Sequence, residues 1–291
     1  VEKSFSDLAD GFEYGMGSAA CEFDGINRYI RITDIDDNTH EYINSTPVSP
    51  KGELNEKYIV KEHDILFART GASTGKTYLY SKKDGVLYFA GFLIRAHVNV
   101  FNDSYFVFNL TLTNRYNNWV KLTSMRSGQS GINAIEYSAY KVFVPQIDEQ
   151  HKISSFLQLL DKKIKLQRRL IETLKLYKRG LLAKLFPQKG ESGPQYRFAG
   201  FTGDWEQRKF GDLADYKKGP FGSTLKKDIF VPRNETSIKV YEQQNAINKD
   251  WTLERYFITK EYAQKLSGFK VEGGDIIVSC AGTIGEIYEL P

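Results

Sequence analysis

The sequence predicts an α+β fold: a mixed α/β globular domain, a long coiled-coil helix and a second, truncated copy of the same domain. Three observations predict it. Short strand-like segments separated by turns fill the first half of the chain, an uninterrupted heptad pattern follows, and the opening of the chain recurs beyond that pattern. We therefore expect a first domain at 1–146, a helical spacer at 147–187, and a linker with the start of the second domain at 188–291.

Two matched pairs of segments carry the repeat. Residues 5–18 (FSDLADGFEYGMGS) and 210–223 (FGDLADYKKGPFGS) share seven identical positions at a constant offset of 205. Residues 64–78 (DILFARTGASTGKTY) and 275–288 (DIIVSCAGTIGEIY) match in the same order after one gap. Two ordered matches indicate two copies of one domain. Both copies are incomplete in this alignment and the chain lacks an initiator Met, so we expect a piece of a longer protein.

Within the first copy, short segments favour strands or helices in turn. Residues 104–122 space aromatic and leucine side chains at intervals typical of a helix, and residues 124–133 (SMRSGQSGIN) predict a polar loop. Strands are predicted where β-branched and aromatic residues dominate, at Tyr29–Ile35, Asp64–Ala68, Thr77–Tyr80, Gly91–Val100 and Tyr140–Pro145.

Residues 147–186 predict one helix of about 55 Å, with Asp148 as its cap and Pro187 after its end. Eight of its ten heptad a and d positions are apolar. A helix cannot bury such a stripe alone, so we expect a partner helix. The expected interface residues are Ile153, Leu157, Leu160, Ile164, Ile171, Leu174, Leu181 and Leu185.

This helix is also the basic part of the chain. Residues 151–189 hold eleven Lys and Arg against two acidic residues, a net charge of +9, and since the whole chain is +4 the remainder is −5. Two interpretations stay open: a solvated coiled-coil face, or a surface that meets an acidic partner or nucleic acid.

Composition excludes several classes of protein. Two distant cysteines and four scattered histidines predict neither a disulfide framework nor a metal site, and favour a reducing, cytoplasmic compartment. No apolar run reaches about 18 residues, so we expect no membrane span. The chain lacks both a motif for holding a flipped adenine (Asn or Asp, Pro, Pro, aromatic) and a Glu-x-Lys nuclease motif. We therefore nominate no catalytic residue and expect a binding protein.

Residues 69–78 (RTGASTGKTY) come close to a phosphate-binding loop, but Thr70 stands where the pattern needs its first Gly. The second copy keeps both glycines and replaces Lys76 by Glu286. The residues that follow Lys76 favour a strand, whereas a phosphate cradle opens a helix. A strand–turn–strand element is therefore expected, and a nucleotide-binding protein is the less favoured alternative.

The layout and five segments resemble the specificity (S) subunit of type I restriction-modification enzymes, the HsdS family. The resemblance covers nearly the whole chain, and the segments together are specific although none is so alone. They are FTGDWEQRKFGDL (201–213), DILFARTGASTGK (64–76), DIIVSCAGTIGE (275–286), VPQIDEQHKISSFLQLLDKKI (144–164) and LKLYKRGLLAKLF (174–186).

The resemblance implies that each globular unit is a target recognition domain reading one half of a split site in double-stranded DNA of a bacterial system. Its spacer helices would pair antiparallel and set the distance between the half-sites. The subunit itself would be non-catalytic and would bind no cofactor. It would dock methyltransferase (M) subunits that use S-adenosylmethionine and, through them, a restriction (R) subunit that uses ATP and Mg. This sequence departs from the family in lacking the second helix, which leaves self-association of the first one open.

Side chains that read DNA combine charge with hydrogen-bonding groups, on loops that approach the duplex closely. Three segments offer such residues, and for each the alternative is an ordinary solvated turn. The glycines Gly71 and Gly75 recur and are assigned to shape. The candidates are Arg69, Thr70, Ser73, Thr74 and Lys76; Arg126, Ser127, Gln129, Ser130 and Asn133; and Lys217, Lys218 and Ser223.

A different class of function remains open beside DNA recognition. The chain would then be a structural adaptor that binds other proteins through its coiled coil and globular parts. Sequence-dependent affinity for duplex DNA separates the two.

Overall fold

The computed structural model describes residues 1–125, 130–220 and 224–291. The chain divides into two compact units, Val1–Leu182 and Ala183–Pro291. No helix in the described ranges is long and apolar enough to cross a membrane.

The first unit contains ten strands and most of the long helix within its described residues. Its strands are β1 Glu2–Ser4, β2 Ala9–Tyr14, β3 Ala20–Glu22, β4 Arg28–Ile30, β5 Val48–Pro50, β6 Asp64–Ala68, β7 Thr77–Leu79, β8 Leu87–Phe89, β9 Leu93–Val98 and β10 Lys141–Phe143. Its helices are α1 Ser104–Leu110, α2 Asn114–Thr123, α3 Ala134–Ser138 and α4 Ile147–Leu185, the last continuing into the second unit.

A four-stranded antiparallel sheet in the order β2-β9-β6-β7 lies at the centre of this unit. The inner strand β6 is apolar after its first residue because both faces are covered. Ile65 and Phe67 join the core beneath the helices, while Leu66 and Ala68 join a second core formed with β4 and β8. The mixed α/β architecture expected from the sequence is therefore observed.

Three two-stranded sheets complete the unit. Strand β1 pairs antiparallel with β10, β3 pairs antiparallel with β5, and β4 pairs parallel with β8. The β1–β10 pair joins the two ends of the globular part, where the backbone N of Val144 donates to the carbonyl of Val1 at 2.8 Å.

Four of the five predicted strands are confirmed: β6 has its predicted bounds, and the ends of the other three differ by at most two residues. The prediction of a strand over Tyr29–Ile35 was wrong in its second half, because β4 ends at Ile30 and Ile32–Asp34 forms a 3-10 turn. The Asp34 carboxylate accepts a hydrogen bond from the Arg31 backbone N at 2.9 Å. It also forms an ion pair with the Arg31 guanidinium at 2.8 Å. This local contact competes with strand pairing and closes the turn.

The helical prediction for residues 104–122 is confirmed, but the segment forms two helices. Asp103 caps α1 by accepting from the backbone N of Phe106 at 2.8 Å. Thr113 then caps α2 by accepting from the backbone N of Tyr116 at 3.3 Å. This second cap starts a new helix, because the Thr113 hydroxyl takes the place of a backbone carbonyl as the acceptor for the Tyr116 N–H.

Helix α4 spans 39 residues, about 58 Å at 1.5 Å per residue. It begins at Ile147, so Asp148 lies in its first turn instead of capping it, and it ends two residues before Pro187 as expected. Gln150 and Ser154 are buried near its start, and beyond Leu157 the helix is exposed up to Gly180.

The second unit contains two antiparallel strand pairs and two short helices within its described residues. Strands β11 Ile238–Lys239 and β12 Phe257–Ile258 pair antiparallel, as do β13 Ile276–Val278 and β14 Ile287–Glu289. The helices are α5 Gln243–Asn248 and α6 Lys260–Lys265.

Candidate nucleic-acid interface

The Gly loop, residues 69–76, connects β6 to β7. The backbone N of Gly75 donates to the carbonyl of Ala68 at 2.9 Å, and the backbone N of Ala68 donates to the carbonyl of Lys76 at 2.8 Å. Gly71 and Gly75 have φ angles of 70° and 88°, a region that side chains disfavour. Their role in shape, expected from the sequence, follows from this backbone.

Two buried tyrosines form hydrogen bonds with the backbone at the two ends of the loop. The hydroxyl of Tyr137 donates to the carbonyl of Ala68 at 2.7 Å and accepts from the backbone N of Gly75 at 3.1 Å. The hydroxyl of Tyr116 donates to the carbonyl of Gly75 at 3.0 Å. Burial raises the pKa of both phenols, which moves the loss of these two donors further above neutral pH. A Cβ at Gly75 would lie 2.5 Å from a methyl group of Val120, so packing against α2 also requires glycine there.

The second copy builds the same hairpin. Gly282 and Gly285 have φ angles of 68° and 86°. The backbone N of Gly285 donates to the carbonyl of Ser279 at 2.9 Å, and that of Ser279 donates to the carbonyl of Glu286 at 2.9 Å. The strand–turn–strand prediction is confirmed in both copies. Strand β7 follows Lys76 where a nucleotide cradle needs a helix, so the geometry disfavours the nucleotide-binding alternative.

A turn closed by an aspartate carboxylate precedes each hairpin. The sequence repeat aligned the two aspartates but did not predict this turn. Asp64 accepts from the backbone N of Lys61 at 2.7 Å, and Asp275 accepts from that of Glu272 at 2.8 Å. The residue before each aspartate has a positive φ, 73° at His63 and 87° at Gly274. A glycine at this position in one copy was the sequence signal for the turn.

Asp64 is buried, and its surroundings differ from those of Asp275. Its carboxylate lies 2.7 Å from Nδ1 of His97 and 3.8 Å from the guanidinium of Arg95. Burial raises the pKa of Asp64, while the hydrogen bonds from Lys61 and His97 and the charge of Arg95 act in the opposite direction. This group anchors β6 to β9 at the start of β6, the opposite end of the strand from the Gly loop.

The structure brings two of the three candidate segments together. The backbone N of Gly71 donates to the carbonyl of Ser130 at 3.0 Å, and that of Ile132 donates to the carbonyl of Arg69 at 2.9 Å. Thr70 and Gly131 form an isolated antiparallel bridge. The Gly loop and residues 130–133 therefore form one surface. The candidates Arg126, Ser127 and Gln129 lie outside the described residues.

The candidate side chains on this surface differ in how far they are already engaged. The Arg69 guanidinium lies 4.9 Å from the centre of the Tyr14 ring and donates to the Gly91 carbonyl at 3.3 Å. The Lys76 side chain is only 12% exposed; its ammonium pairs with Asp37 and donates to the Ile35 carbonyl at 3.0 Å. Lys76 thus ties the loop to the neighbouring segment.

The other candidates of the first copy are half-buried hydroxyl or amide groups. Thr74 donates to the carbonyl of Gly71 at 2.7 Å, and Thr70, Ser73 and Ser130 are partly exposed. Asn133 caps α3, with its side-chain oxygen accepting from the backbone N of Glu136 at 2.9 Å.

Sequence reasoning missed an exposed aromatic patch beside Arg69. Tyr14 is 44% exposed, its hydroxyl accepts from the backbone N of Ala134 at 3.2 Å, and Phe92 and Ile135 are more exposed still. The repeat held a signal for Tyr14: it aligns with Gly219, so it differs between the copies, as a residue that reads a different half-site would.

The third candidate segment belongs to the second unit. The Lys217 ammonium lies 4.8 Å from the centre of the Phe269 ring, and Lys218 is exposed. Ser223 lies outside the described residues. Among the residues that are described, no group of three or more side chains could hold a metal ion.

Comparisons with known proteins place these features in a family. Residues 18–176 match the family described as the type I restriction modification DNA specificity domain. The MjaVIII type I restriction enzyme specificity subunit of Methanocaldococcus jannaschii is 24% identical over 229 residues. That match covers 77% of this chain and 51% of the relative, so the chain spans about half the length of the curated relative it matches.

Solved structures of S subunits are also similar. The type I S subunit from M. genitalium aligns at 16% identity and a TM-score of 0.44, over 65% of this chain and 46% of that one. The HsdS subunit from Thermoanaerobacter tengcongensis aligns at 18% identity and a TM-score of 0.43, over 67% and 51%.

The family match covers more than half of the chain and includes both the Gly-loop hairpin and most of α4. The chain belongs to the type I restriction-modification DNA specificity domain family.

Proposed function

We propose that this chain is a non-catalytic DNA-recognition part of a type I restriction-modification complex. Its first globular domain reads one half of a bipartite target in double-stranded DNA, and α4 separates that domain from the second copy. One observation carries the proposal: the family match spans residues 18–176, from the globular domain into the helix. The recurrence of the start of the domain beyond the helix supports it. Two similar readers on a rigid spacer fit two half-sites at a fixed distance.

The surface formed by the Gly loop and residues 130–133 is the proposed base-reading face. Arg69 can pair with guanine, and the hydroxyls of Thr70, Ser73 and Thr74 suit either bases or phosphates. Asn133 can pair with adenine through its whole amide only if its oxygen leaves the cap of α3. Lys76 reaches DNA only if it leaves Asp37. The remaining proposed contacts are Ser130, Arg126, Ser127 and Gln129 in the first copy, and Lys217, Lys218 and Ser223 in the second.

The proposed partners follow from membership of the family. Methyltransferase subunits carry S-adenosylmethionine, and a restriction subunit recruited through them uses ATP and Mg, so this chain binds no cofactor itself. The complex acts on DNA in the bacterial cytoplasm. The exposed apolar stripe of α4 pairs with a second helix, supplied either by the rest of the protein or by another copy of this chain.

Duplex binding by the complete subunit with its methyltransferase tests the proposal. Methylated-adenine mapping in DNA from cells that carry the complete system identifies the target. Affinity for that duplex should exceed affinity for a scrambled one, and log K should fall linearly with log salt concentration. A complex that assembles without any sequence preference would favour the structural adaptor instead.

The base-reading face has a matched test. Arg69 and Arg115 both lie over an aromatic ring, at 4.9 Å from Tyr14 and 5.0 Å from Phe143, but only Arg69 belongs to the proposed face. Arg69→Ala should lose about 1–3 kcal/mol of discrimination at one base pair. Arg115→Ala should retain the full preference. If both variants keep it, Arg69 does not read bases.

A further inference from the structure

Helix α4 contacts the globular domain through a polar line of residues. Gln150 accepts from the backbone N of Asp103 at 3.0 Å, and Ser154 donates to the Asp103 carboxylate at 2.5 Å. Farther along, Tyr105 donates to Asp161, and Lys165 pairs with Glu41 at 2.7 Å. Spacings of four, seven and four residues place these four helix positions on one face.

This polar face is distinct from the apolar stripe. At about 100° of rotation per residue, the mean directions of the two lie roughly 100° apart around the helix axis, and only at the start of the helix do they adjoin, where Gln150 lies about 20° from Leu157. The stripe stays open beside the docked domain, with Leu160, Ile164 and Ile171 exposed at 40%, 49% and 50%. A helix that covers the stripe therefore leaves the polar face uncovered.

Beyond Lys165 the same face becomes basic. Arg168 and Arg179 continue it, together with Glu172 and Lys175, and Arg169 lies about 70° beyond its centre on the side away from the apolar stripe. The three arginines are here called the arginine strip. The one acidic residue is neutralised locally, because Glu172 pairs with Lys175 at 2.7 Å. The strip arginines are exposed, and none has an ion-pair partner among the described residues. The strip is thus a free positive surface about 17 Å long.

The chemistry of the strip suits a phosphate backbone. Duplex DNA presents about one negative charge per 1.7 Å of its axis, so a strip of this length faces several phosphates. Guanidinium groups bind phosphate oxygens bidentately and need no particular base. Glu41, the acidic side chain of the domain that pairs with α4 at Lys165, is already held by Lys83 and Lys165 at 2.8 and 2.7 Å. The strip is therefore exposed, and its charge is not neutralised by the described residues of the domain.

We propose that the arginine strip binds the sugar-phosphate backbone of the DNA between the two half-sites. This inference depends on the proposed function, which places α4 between two base-reading domains and so places the intervening DNA beside it. Contacts to phosphate supply affinity and register without reading sequence. The spacer then contributes to binding through its charge while its base sequence stays free.

The test uses the complete subunit with its methyltransferase and compares two double variants of equal charge. Arg168→Gln/Arg169→Gln removes two strip charges, and Lys152→Gln/Lys184→Gln removes two from the far side of the same helix. Glutamine keeps a good helix propensity, and circular dichroism with a check of assembly monitors folding. At about 0.9 per phosphate, the strip variant should lower the slope of log K against log salt by roughly 2, while the control leaves it unchanged.

A second arm removes the charge from the DNA. Methylphosphonate linkages confined to the spacer should weaken binding by the unaltered complex and have little further effect on the strip variant. Arg179→Gln should give a drop of about 1 in the slope by itself. Target preference should be the same for all proteins, because none of the changes touches the base-reading face.

The outcomes distinguish a failure of the arginine-strip proposal from a failure of the proposed function. An unaltered complex without sequence preference would overturn the proposed function. A preference that persists while the strip and control variants show equal slopes would overturn the strip alone. Loss of methyltransferase assembly in the strip variant at an unchanged slope would assign the strip to an acidic protein surface and also overturn it.

Discussion

Asp64 is a buried carboxylate on which the turn before β6 depends. It accepts from Lys61 and His97, both at 2.7 Å, whereas its counterpart Asp275 makes the same turn in an exposed position. Asp64→Ala should lower the free energy of unfolding by about 1–3 kcal/mol, because buried donors lose their acceptor. Asp275→Ala should cost less. Urea unfolding with hydrogen exchange at β6 and β13 measures both, and equal losses would contradict this account.

Asp24 makes the stability sensitive to acid. The side chain of Asn27 and the backbone N atoms of Ile26 and Asn27 donate to its carboxylate and lower its pKa from 3.8 to about 2. A pKa lowered by folding gives stability that is present above the ordinary value and lost as pH falls through about 2. Asp24→Asn should therefore flatten the decline of Tm between pH 4 and pH 2. An unchanged decline would show that this loop does not contribute.

At this scale the sequence predicts some roles and misses others. Gly71 and Gly75 were assigned to shape because a positive φ is a local demand that recurs in the second copy. The ion pair that occupies Lys76 was not predictable, because Asp37 lies 39 positions away in the sequence and only tertiary packing brings it close. The DNA contacts of Arg69, Thr70, Ser73 and the other candidates stay predictions.

The Gly-loop hairpin offers a matched pair of glycines at the scale of an element. A Cβ at Gly75 would meet Val120 at 2.5 Å, whereas a Cβ at Gly285 would meet nothing within 4 Å. Gly285→Ala should cost about 1–2 kcal/mol for its left-handed backbone alone. Gly75→Ala should cost about 1–3 kcal/mol more from overpacking. Chemical unfolding compares them, and Gly75→Ala/Val120→Ala should recover part of the difference.

The apolar stripe of α4 is the second element to test. Leu160→Asp/Ile164→Asp places charges within it and should abolish pairing of the helix. Leu159→Asp/Leu166→Asp, on exposed positions about 120–140° away around the axis, should be tolerated. Light scattering and reconstitution with the methyltransferase report assembly. Indifference to the first pair would mean that the stripe is not an interface.

Elements with strong local patterns were predicted well, and elements decided by side-chain competition were not. Helix α4 follows from its heptad, and β6 and β7 follow from apolar runs beside a Gly-containing turn. The turn at Ile32–Asp34 and the break before α2 were missed because one carboxylate and one hydroxyl, those of Asp34 and Thr113, replace backbone partners.

Length is the property of the whole molecule that the proposed function uses. Inserting one heptad after Arg169 keeps the stripe in phase and lengthens α4 by about 10.5 Å, close to three base pairs of DNA. The complete subunit should then methylate a site with unchanged half-sites and a longer spacer. Mapping of methylated adenines checks this, and a change in the half-sites themselves would contradict it.

The organisation of the whole chain was predictable because a repeat and a heptad are visible over long distances in one sequence. The domain boundaries at 146 and 187 stay predictions, whereas the compact units meet after Leu182, within α4. Where the domain sits around the helix was not predictable, because Glu41, Asp103 and Tyr105 come from distant segments.

The Gly-loop hairpin occurs in both copies, and comparing them separates the features that its fold requires from the side chains that can vary. The same backbone hydrogen bonds and two left-handed glycines recur around loops that differ in length and in every other side chain. Mutations between the glycines therefore leave the folding of the domain largely untouched. A lineage can explore new loop chemistry there, one substitution at a time, without first acquiring a compensating change in the core.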